Sequence, residues 1–275
     1  MSEITQLIHH YLRHDKKFPH VYCPGCGHGI ALGSLIRSVH GLEIPKDDVT
    51  IVAGIGCSGR MAVYVDFNTV HAVHGRAIPI ASGIKMCNPK QHVIVITGDG
   101  DAMSIGGNHF IHAARRNIGL TVLVLNNAIY GMTGGQCSAT TPQASWTSTS
   151  PYGSLEEPLD IVNMASAAGA NYVARGTVFH VKALDKMITE AIQHPGLSVV
   201  EVLTPCHTQY GRKNSYKTPI AMYEWLKKNA ISKERYEALD PEKAKEKIPT
   251  GVFCEHGKPS YEERYQELRK NLARS

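Results

Sequence analysis

Four short runs of the sequence are apolar throughout and rich in β-branched residues, and they constrain the fold more than any other feature. Strands with one solvent-exposed face alternate polar and apolar residues, whereas strands of a parallel sheet covered by helices on both faces do not. Segments with helical periodicity separate the runs, so the sequence predicts an α/β fold with a doubly wound, mainly parallel sheet. The runs are residues 49–53, 92–97, 120–125 and 197–203, and helices are expected around 28–40, 105–117, 158–168 and 180–194.

Each apolar run leads directly into a polar motif. The motifs are GIGCSGR from Gly54, GDGDA from Gly98, NNAIYGMTGGQ from Asn126 and TPCHTQYG from Thr204. In open parallel sheets, ligands bind beyond the carboxyl ends of the strands. We therefore expect the motifs to meet at one edge of the sheet and to form a single active site.

The glycines of the first motif match the loop that binds dinucleotide phosphates, but this interpretation fails its confirming test. A dinucleotide site needs an acidic residue roughly 20 positions after the glycines to bind the ribose hydroxyl. The stretch from Phe67 to Met86 contains no Asp or Glu, and Asp66 comes too early. We infer that the glycines let backbone amides approach a phosphate that is not part of NAD.

Four of the seven cysteines form a candidate metal-binding set. Cys23 and Cys26 make a C-x-x-C pair, Cys57 lies in the first motif and Cys206 lies in the last. Four converging thiolates suit a tetrahedral zinc ion or an iron–sulfur cluster, and buried free thiols at Cys57 and Cys206 are the alternative. The cysteines without such a placement, interpreted as core or incidental residues, are Cys87, Cys137 and Cys254.

A second candidate metal site combines Asp99 with Asn127, which follow consecutive apolar runs. A carboxylate and an amide oxygen suit Mg²⁺, which completes its octahedron with phosphate oxygens and water. The glycines beside Asp99 let backbone amides meet phosphates, with the start of a helix behind them. For either motif taken alone, a polar turn that only caps its strand is the alternative.

Composition excludes several classes of function. The chain has 275 residues, 43% of them hydrophobic, and a net charge of +5 without a basic block before residue 210. The first residues are polar, without the apolar run of a signal peptide, and no membrane-spanning run follows. We expect a cytoplasmic protein that binds neither membrane nor nucleic acid.

Together the motifs resemble a known family. GDG followed by NN resembles the signature of thiamine diphosphate enzymes. With CPGCGHG, GIGCSGR, HGRAIPIASGIK and YGMTGGQCSATTP, the chain resembles the β subunit of 2-oxoacid:ferredoxin oxidoreductases, in the 2-oxoglutarate branch. The resemblance extends from Val21 to Gly211 and implies the thiamine diphosphate-binding fold, as its diphosphate-binding module.

The resemblance also implies a set of ligands. It implies one 4Fe–4S cluster, bound by Cys23, Cys26, Cys57 and Cys206, and Mg²⁺ bound by Asp99, the Asn127 side chain and the Ile129 carbonyl. Contacts to the diphosphate and thiazolium are implied for Ile55, Gly56, Cys57, Ser58, Gly100, Asp101, Gly131 and Met132. His74, the first residue of HGRAIPIASGIK, would lie against the cofactor; the alternative for any of the fifteen histidines is an ordinary surface or core residue.

The reaction implied by the resemblance is the oxidative decarboxylation of a 2-oxoacid. Thiamine diphosphate would supply the carbanion and the electron sink, electrons would pass through the cluster to ferredoxin, and the acyl group would pass to coenzyme A. Arg60 is the candidate cation for the distal carboxylate of 2-oxoglutarate. A role for Arg60 in binding phosphate or a partner's acidic residue is the open alternative.

The sequence lacks an evident activating glutamate. Thiamine diphosphate is activated by a carboxyl group, normally Glu, at its pyrimidine ring. Residues 1–155 contain only Glu3 and Glu43, and Glu201 lies inside an apolar run. We expect an α subunit to supply the glutamate and the pyrimidine-binding domain, so this chain alone should be inactive.

Two domains and two rival functions complete the expectations. Residues 1–212 are expected to bind thiamine diphosphate and the cluster, and residues 213–275 to form a helical or irregular extension that docks another subunit. A zinc-stapled nucleic-acid module would leave the GDG and NN motifs unexplained. A non-redox thiamine diphosphate decarboxylase would leave the four cysteines unexplained.

Overall fold

The computed structural model describes residues 3–15 and 20–274. At its centre is an eight-stranded sheet with strand order β2-β1-β3-β4-β6-β5-β8-β7. The strands are β1 Val49–Ala53, β2 Asn68–His71, β3 His92–Gly98, β4 Thr121–Asn126, β5 Tyr172–Thr177, β6 Ser198–Leu203, β7 Ala230–Ser232 and β8 Ile248–Glu255. The helices are α1 Glu3–Tyr11, α2 His28–Gly41, α3 Met61–Tyr64, α4 Ala77–Cys87, α5 Gly107–Arg116, α6 Ile161–Ala167, α7 Val181–Gln193, α8 Pro219–Asn229, α9 Lys233–Glu237, α10 Pro241–Ala244 and α11 Tyr261–Leu272.

The predicted parallel sheet is confirmed. Strands β1 to β6 pair with one another in parallel, and the expected apolar runs correspond to β1, β3, β4 and β6. The expected helices are α2, α5, α6 and α7, with ends shifted by a few residues. Strand β5 escaped prediction because Arg175 and Gly176 interrupt its apolar pattern, although the whole strand is buried.

Helices cover both faces of the sheet, as a doubly wound fold requires. Successive strand residues point to opposite faces, so Ile51 and Ala53 pack into one apolar cluster and Val52 into the other. Helices α2 and α7 supply the first cluster, and α4, α5 and α6 supply the second. Because both faces are dry, ligands have access mainly at the edges of the sheet.

The C-terminal segment differs from its expected helical or irregular form. Helices α8 to α11 agree with it, but β8 pairs antiparallel with β5 and extends the sheet beyond residue 212. Phe253 and Cys254 of β8 pack against the second apolar cluster. The strand was missed because Pro249 and Gly251 interrupt its pattern, as is typical near a sheet edge. A docking role for this segment stays a proposal.

Two motifs at the carboxyl edge form π-helical turns. Gly106 N donates to Asp101 O at 3.0 Å, and Gly211 N donates to Cys206 O at 2.9 Å, each five residues apart. Such turns are frequent at functional sites. Among the helices of the described residues, none has the length and hydropathy to cross a membrane.

Candidate cofactor-binding site

The motifs after β1, β3 and β4 border one cleft at the carboxyl edge of the sheet, here called the edge cleft. Its walls contain all the residues expected to contact diphosphate, thiazolium and Mg²⁺, together with several that were not expected. The expected ones are Ile55, Gly56, Cys57, Ser58, His74, Asp99, Gly100, Asp101, Asn127, Ile129, Gly131 and Met132, and the others are His28, Gly98, Leu125, Tyr130 and Thr133. The convergence predicted from the strand ends therefore occurs in this cleft for three of the four motifs.

Asp101 ties the loops of the edge cleft together. Its buried carboxylate accepts hydrogen bonds from Thr97 Oγ1 at 2.7 Å and from the backbone amides of Ile55 at 3.2 Å and Gly75 at 2.7 Å. It also contacts Nδ1 of His74. Because these donors come from three segments, Asp101 acts first as a clamp on the loops, and a direct cofactor contact stays a prediction.

Two glycines are required by close approaches within these loops. A Cβ on Gly54 would overlap the carboxylate of Asp101, and a Cβ on Gly100 would overlap the ring of Tyr130. Gly56 has φ +97°, a conformation that favours glycine, and no atom lies near its missing Cβ. The glycine pattern thus places backbone against the cleft, consistent with the expected phosphate loop.

Three oxygen-bearing groups meet at the floor of the edge cleft. Asp99 is buried, and its Oδ2 accepts hydrogen bonds from Ser138 Oγ at 2.5 Å and Thr140 Oγ1 at 2.8 Å. One terminal atom of the Asn127 amide lies 2.7 Å from the Ile129 carbonyl oxygen and 3.2 Å from Asp99 Oδ1. As nitrogen, that atom donates to both; as oxygen, it completes a triad of oxygens, which is the kind of ligand set that a hard cation binds.

This oxygen triad fits the expected magnesium site. A carboxylate, an amide and a backbone carbonyl are the ligands that Mg²⁺ takes from a protein beside phosphate and water. Burial raises the pKa of Asp99, and the hydrogen bonds from Ser138 and Thr140 oppose that rise. A cation here would favour the ionised carboxylate. The residues therefore suit Mg²⁺ by their chemistry.

An unusual backbone conformation builds the triad. Ala128, between Asn127 and Ile129, has φ +60°, which is costly for a residue with a Cβ. Its amide donates to Asn126 Oδ1 at 3.0 Å, and its carbonyl accepts from Thr141 Oγ1 at 2.7 Å. Strained residues of this kind concentrate at functional sites.

His74 lies against the edge cleft with its ring orientation fixed. Its Nδ1 contacts Asp101, and its ring meets the ring of Tyr130 edge-on with centroids 6.0 Å apart. Tyr130 Oη in turn donates to Gly100 O at 3.0 Å. About 40% of the His74 side chain is exposed, so a bound molecule can reach it.

A second cleft, here called the cysteine cleft, adjoins the first and contains the motif after β6. It is lined by all four expected cysteines, Cys23, Cys26, Cys57 and Cys206. All are free thiols. Among the described residues, however, no group of three or more His, Cys, Asp or Glu side chains is gathered tightly enough to bind a metal ion. The thiols share a cleft without closing on a single ion.

The two clefts share a wall. Cys57, His28, Asn127, Gly131 and Met132 line both. A Cβ on Gly131 would lie 3.4 Å from Cys206 Sγ and 3.9 Å from Cys57 Sγ, so a glycine keeps open the space between these sulfurs. Because the thiolate ligands of a cluster are separated from one another, this space is compatible with the expected cluster.

Burial controls the protonation of the groups around the cysteine cleft. It raises the pKa of Cys26 to about 12 and also raises those of Cys57 and Cys206. It lowers the pKa of His28, whose Nδ1 lies 3.1 Å from Cys26 Sγ, to about 4. These three thiols and the imidazole are therefore neutral until a metal supplies positive charge.

Arg60 lies away from the edge cleft. It is exposed and lines the cysteine cleft beside Cys57, because the short 3-10 turn Ser58–Arg60 carries it to the other side of the loop. Its expected contact with a substrate carboxylate stays a prediction. The remaining cysteines, Cys87, Cys137 and Cys254, line neither cleft.

No glutamate of the described residues lines the edge cleft. Glu201 is buried within the sheet, where Asn126 Nδ2 and Arg175 Nε donate to its two oxygens. It is therefore not free to activate a cofactor, in agreement with the sequence interpretation.

Several residues of the site were missed from the sequence. Ser138 and Thr140, which bind Asp99, lie in the quoted stretch CSATT, whose alternating hydroxyl residues were a usable signal. His28 lies inside the quoted CPGCGHG motif but was not selected. Tyr130 and Thr97 carry no local signal, since their roles depend on partners distant in sequence.

Comparisons with known proteins place the chain in a family. Residues 49–202, more than half of the chain, match the family described as thiamine pyrophosphate enzyme, C-terminal TPP binding domain. The chain is 48% identical over 262 residues to the 2-oxoglutarate synthase subunit KorB of Archaeoglobus fulgidus, covering 94% of this chain and 93% of that protein. It is 40% identical over 220 residues to the 2-oxoacid:ferredoxin oxidoreductase 2 subunit beta of Aeropyrum pernix, covering 80% and 69%.

A solved structure agrees with these relatives. The structure of 2-oxoglutarate:ferredoxin oxidoreductase from Magnetococcus marinus, with 2-oxoglutarate, coenzyme A and succinyl-CoA bound, superimposes with a TM-score of 0.85. The two chains are 30% identical, and the match covers 97% of this chain and 90% of the other. The motifs, the fold and the relatives agree: this chain belongs to the β subunits of the 2-oxoacid:ferredoxin oxidoreductases.

Proposed function

We propose that this chain is the catalytic β subunit of a coenzyme A-dependent 2-oxoglutarate:ferredoxin oxidoreductase, and that it binds thiamine diphosphate with Mg²⁺ and one 4Fe–4S cluster. The observation that carries the proposal is the shared wall between the clefts. An oxygen triad suited to Mg²⁺ lines the edge cleft and four cysteines line the cysteine cleft, and Cys57 and Gly131 belong to the wall that the two clefts share. Few functions other than decarboxylation coupled to electron transfer need both.

The edge cleft accounts for cofactor binding. Asp99, Asn127 and the Ile129 carbonyl would hold Mg²⁺, and the loop Gly54–Cys57, clamped by Asp101, would present its backbone to the diphosphate. His74 would lie against the cofactor with its ring fixed by Asp101. When bound, thiamine diphosphate supplies the carbanion that attacks a 2-oxoacid and the sink for the electrons released with CO₂.

The cysteine cleft accounts for the redox step. Cys23, Cys26, Cys57 and Cys206 would bind the cluster, whose positive iron charge offsets the cost of burying thiolates. Because Cys57 follows Gly56 in the phosphate loop, electrons leaving the edge cleft would have only this loop to cross. Ferredoxin is the expected acceptor, as the names of the relatives indicate.

Substrate and partners rest on the relatives. Several relatives are named 2-oxoglutarate synthase subunits, and the solved structure carries 2-oxoglutarate and coenzyme A. The absence of a glutamate among the described residues of the edge cleft supports an α subunit that supplies one. We further propose that residues 213–275 dock another subunit and that the complex acts in the cytoplasm.

The proposal is tested by reconstitution under anaerobic conditions. The chain is expressed with and without the α subunit encoded in the same organism, loaded with Mg²⁺, thiamine diphosphate and iron–sulfide, and assayed with 2-oxoglutarate, coenzyme A and a viologen dye. We expect dye reduction only when both subunits are present.

Two results would contradict the proposal. Robust turnover by this chain, shown to be free of other subunits, would overturn the missing-glutamate argument. A loaded complex that reduces the dye with no 2-oxoacid would overturn the proposed reaction.

A further inference from the structure

Glu201 is a buried charge in a strand that is otherwise apolar. It lies on β6, 2% exposed, directly beside Arg175 of β5, which is 7% exposed. Arg175 Nε donates to Glu201 Oε2 at 2.6 Å. Replacing such a buried pair with apolar residues is often neutral or stabilising, so the sheet itself does not require it.

The second oxygen of Glu201 leads to the magnesium-binding loop. Asn126 Nδ2 donates to Glu201 Oε1 at 2.7 Å, and Asn126 Oδ1 accepts from Ala128 N at 3.0 Å. Thr140 Oγ1 lies 3.0 Å from Asn126 Oδ1 and 2.8 Å from Asp99 Oδ2, and its single hydroxyl proton is shared between these two acceptors. The hydrogen bonds thus lead from the strand pair through Asn126 to Ala128, and Thr140 places Asp99 beside that path.

The chemistry of a carboxylate fixes the direction of this path. An ionised carboxylate only accepts hydrogen bonds, so Glu201 forces the nitrogen of the Asn126 amide towards itself. The oxygen of that amide must then face Ala128, whose φ of +60° would otherwise be unfavourable. That backbone turn brings the Asn127 amide and the Ile129 carbonyl within 2.7 Å of each other.

The far end of the path is anchored near the surface. Arg175 Nη2 donates to Asp160 Oδ1 at 2.8 Å. Asp160 in turn caps the start of α6 by accepting from Asn163 N at 3.1 Å. The ring of Phe253 from β8 lies 5.3 Å from the Arg175 guanidinium and covers it. Arg175 is therefore held on three sides while it orients Glu201.

We propose that Glu201 and Arg175 are positioning residues for the magnesium-binding loop, acting through the Asn126 amide. The inference rests on the proposed role of Asp99, Asn127 and Ile129 in binding Mg²⁺. The new element is that Glu201 and Arg175, which are not ligands themselves, influence the affinity for the metal.

The test measures metal binding rather than turnover. The complex purified through this chain is stripped with a chelator, saturated with thiamine diphosphate and titrated with Mn²⁺, whose free ion is followed by electron paramagnetic resonance. Loss of a residue hydrogen-bonded directly to a metal ligand typically costs about 10–100-fold in affinity. Glu201 acts one step further out, through Asn126 and Ala128. For Glu201→Gln, which keeps the shape but can donate as well as accept, we therefore expect a loss at the lower end of that range, about tenfold.

The matched control is Asp185→Asn. Asp185 is also a carboxylate paired with an arginine, Arg37, but on the surface and through two hydrogen bonds at 2.6 and 2.9 Å. We expect its Mn²⁺ affinity to equal that of the unmodified complex. A complex of unmodified chain that binds no Mn²⁺ with thiamine diphosphate would overturn the proposed function itself. Normal binding in Glu201→Gln would overturn only the positioning role.

A rescue separates positioning from general destabilisation. Ala128→Gly removes the penalty of the positive φ, so Glu201→Gln combined with Ala128→Gly should recover several-fold in Mn²⁺ affinity over Glu201→Gln alone. Absence of rescue would overturn the path through Ala128. Should Glu201→Gln not fold, Asn126→Ala interrupts the same path and keeps the Arg175–Glu201 hydrogen bond. Unchanged Mn²⁺ affinity in that variant would refute the inference.

Discussion

The oxygen triad and the cysteine cleft are neighbours, yet their ligands are assembled to different degrees in this chain. At the triad, Ser138 and Thr140 already bind Asp99, and the turn at Ala128 brings Asn127 and Ile129 together. In the cysteine cleft the thiols surround an open space, and no tight group of metal-ligating side chains is present among the described residues.

The difference follows from what each set of ligands costs to assemble. Neutral amides and carbonyls can be held together by backbone geometry and hydrogen bonds before any metal arrives. Buried thiolates repel one another, and burial holds the pKa of Cys26, Cys57 and Cys206 above the ordinary value. Their convergence therefore depends on the charge of the cluster. We expect the two sites to be separable by mutation.

The largest effect is expected for Asp99→Asn. Removing one member of a buried charge pair costs about 3–5 kcal/mol, so the affinity for Mg²⁺ with thiamine diphosphate should fall by at least ~100-fold. Asn127→Ala should act in the same direction by deleting the amide ligand. Calorimetry measures the affinity, and the iron content of both variants should equal that of the unmodified chain. Unchanged cofactor affinity in both would refute the magnesium assignment.

Cys206→Ser makes the opposite test, because it alters the cysteine cleft and leaves the oxygen triad intact. Loss of a thiolate ligand should bleach the protein or make its cluster labile, which iron and sulfide analysis and the visible absorption band would report. Affinity for Mg²⁺ and thiamine diphosphate should change by less than about threefold, under 1 kcal/mol. The control is Cys87→Ser, an exposed thiol outside both clefts. Parallel loss of both cofactors in Cys206→Ser would show that the sites are one unit.

Gly54→Ala tests how far the edge cleft is preassembled. Its Cβ would overlap the carboxylate of Asp101, and overpacking of this kind costs about 1–3 kcal/mol. The midpoint of thermal unfolding of the cofactor-free chain should fall accordingly. Gly83→Ala, in helix α4 with no atom near its missing Cβ, should instead stabilise by about 0.5–1 kcal/mol. Equal midpoints for the two variants would contradict a clamp at Asp101.

The smallest effect is expected for Arg60→Ala. Arg60 is exposed, and an exposed ion pair contributes about 0.2–1 kcal/mol, so KM for 2-oxoglutarate should rise slightly more than KM for a monocarboxylic 2-oxoacid. Steady-state kinetics of the reconstituted complex measures the ratio. Because Arg60 lines the cysteine cleft, equal losses on both substrates would assign it to the cluster or to the partner instead.

The sequence was most informative where a motif is local. Strands β1, β3, β4 and β6 could be predicted because strands covered by helices on both faces have unbroken apolar runs. Asp99 and Asn127 were readable because parallel strands bring their carboxyl ends to the same edge. Strand β5 could not be predicted, since its buried Arg175 is stabilised by Glu201 on the neighbouring strand.

Side-chain direction was the least predictable property. Asp101 turns into the protein to bind Thr97 and two loops, and Arg60 is carried to the cysteine cleft by a short helical turn. Neither direction is encoded within its own motif, because both depend on distant partners. The positive φ of Ala128 gave no signal either, since alanine there is held by Asn126 and Thr141 rather than chosen for conformational freedom.

The most direct test of the account is the metal content of the chain purified anaerobically with its natural complement of cofactors. If the cysteine cleft holds a 4Fe–4S cluster beside the diphosphate site, each chain should carry about four iron atoms and about four sulfides. A broad visible band should then bleach on reduction. One equivalent of zinc, with neither iron nor sulfide, would contradict the account and leave the four cysteines as a structural staple.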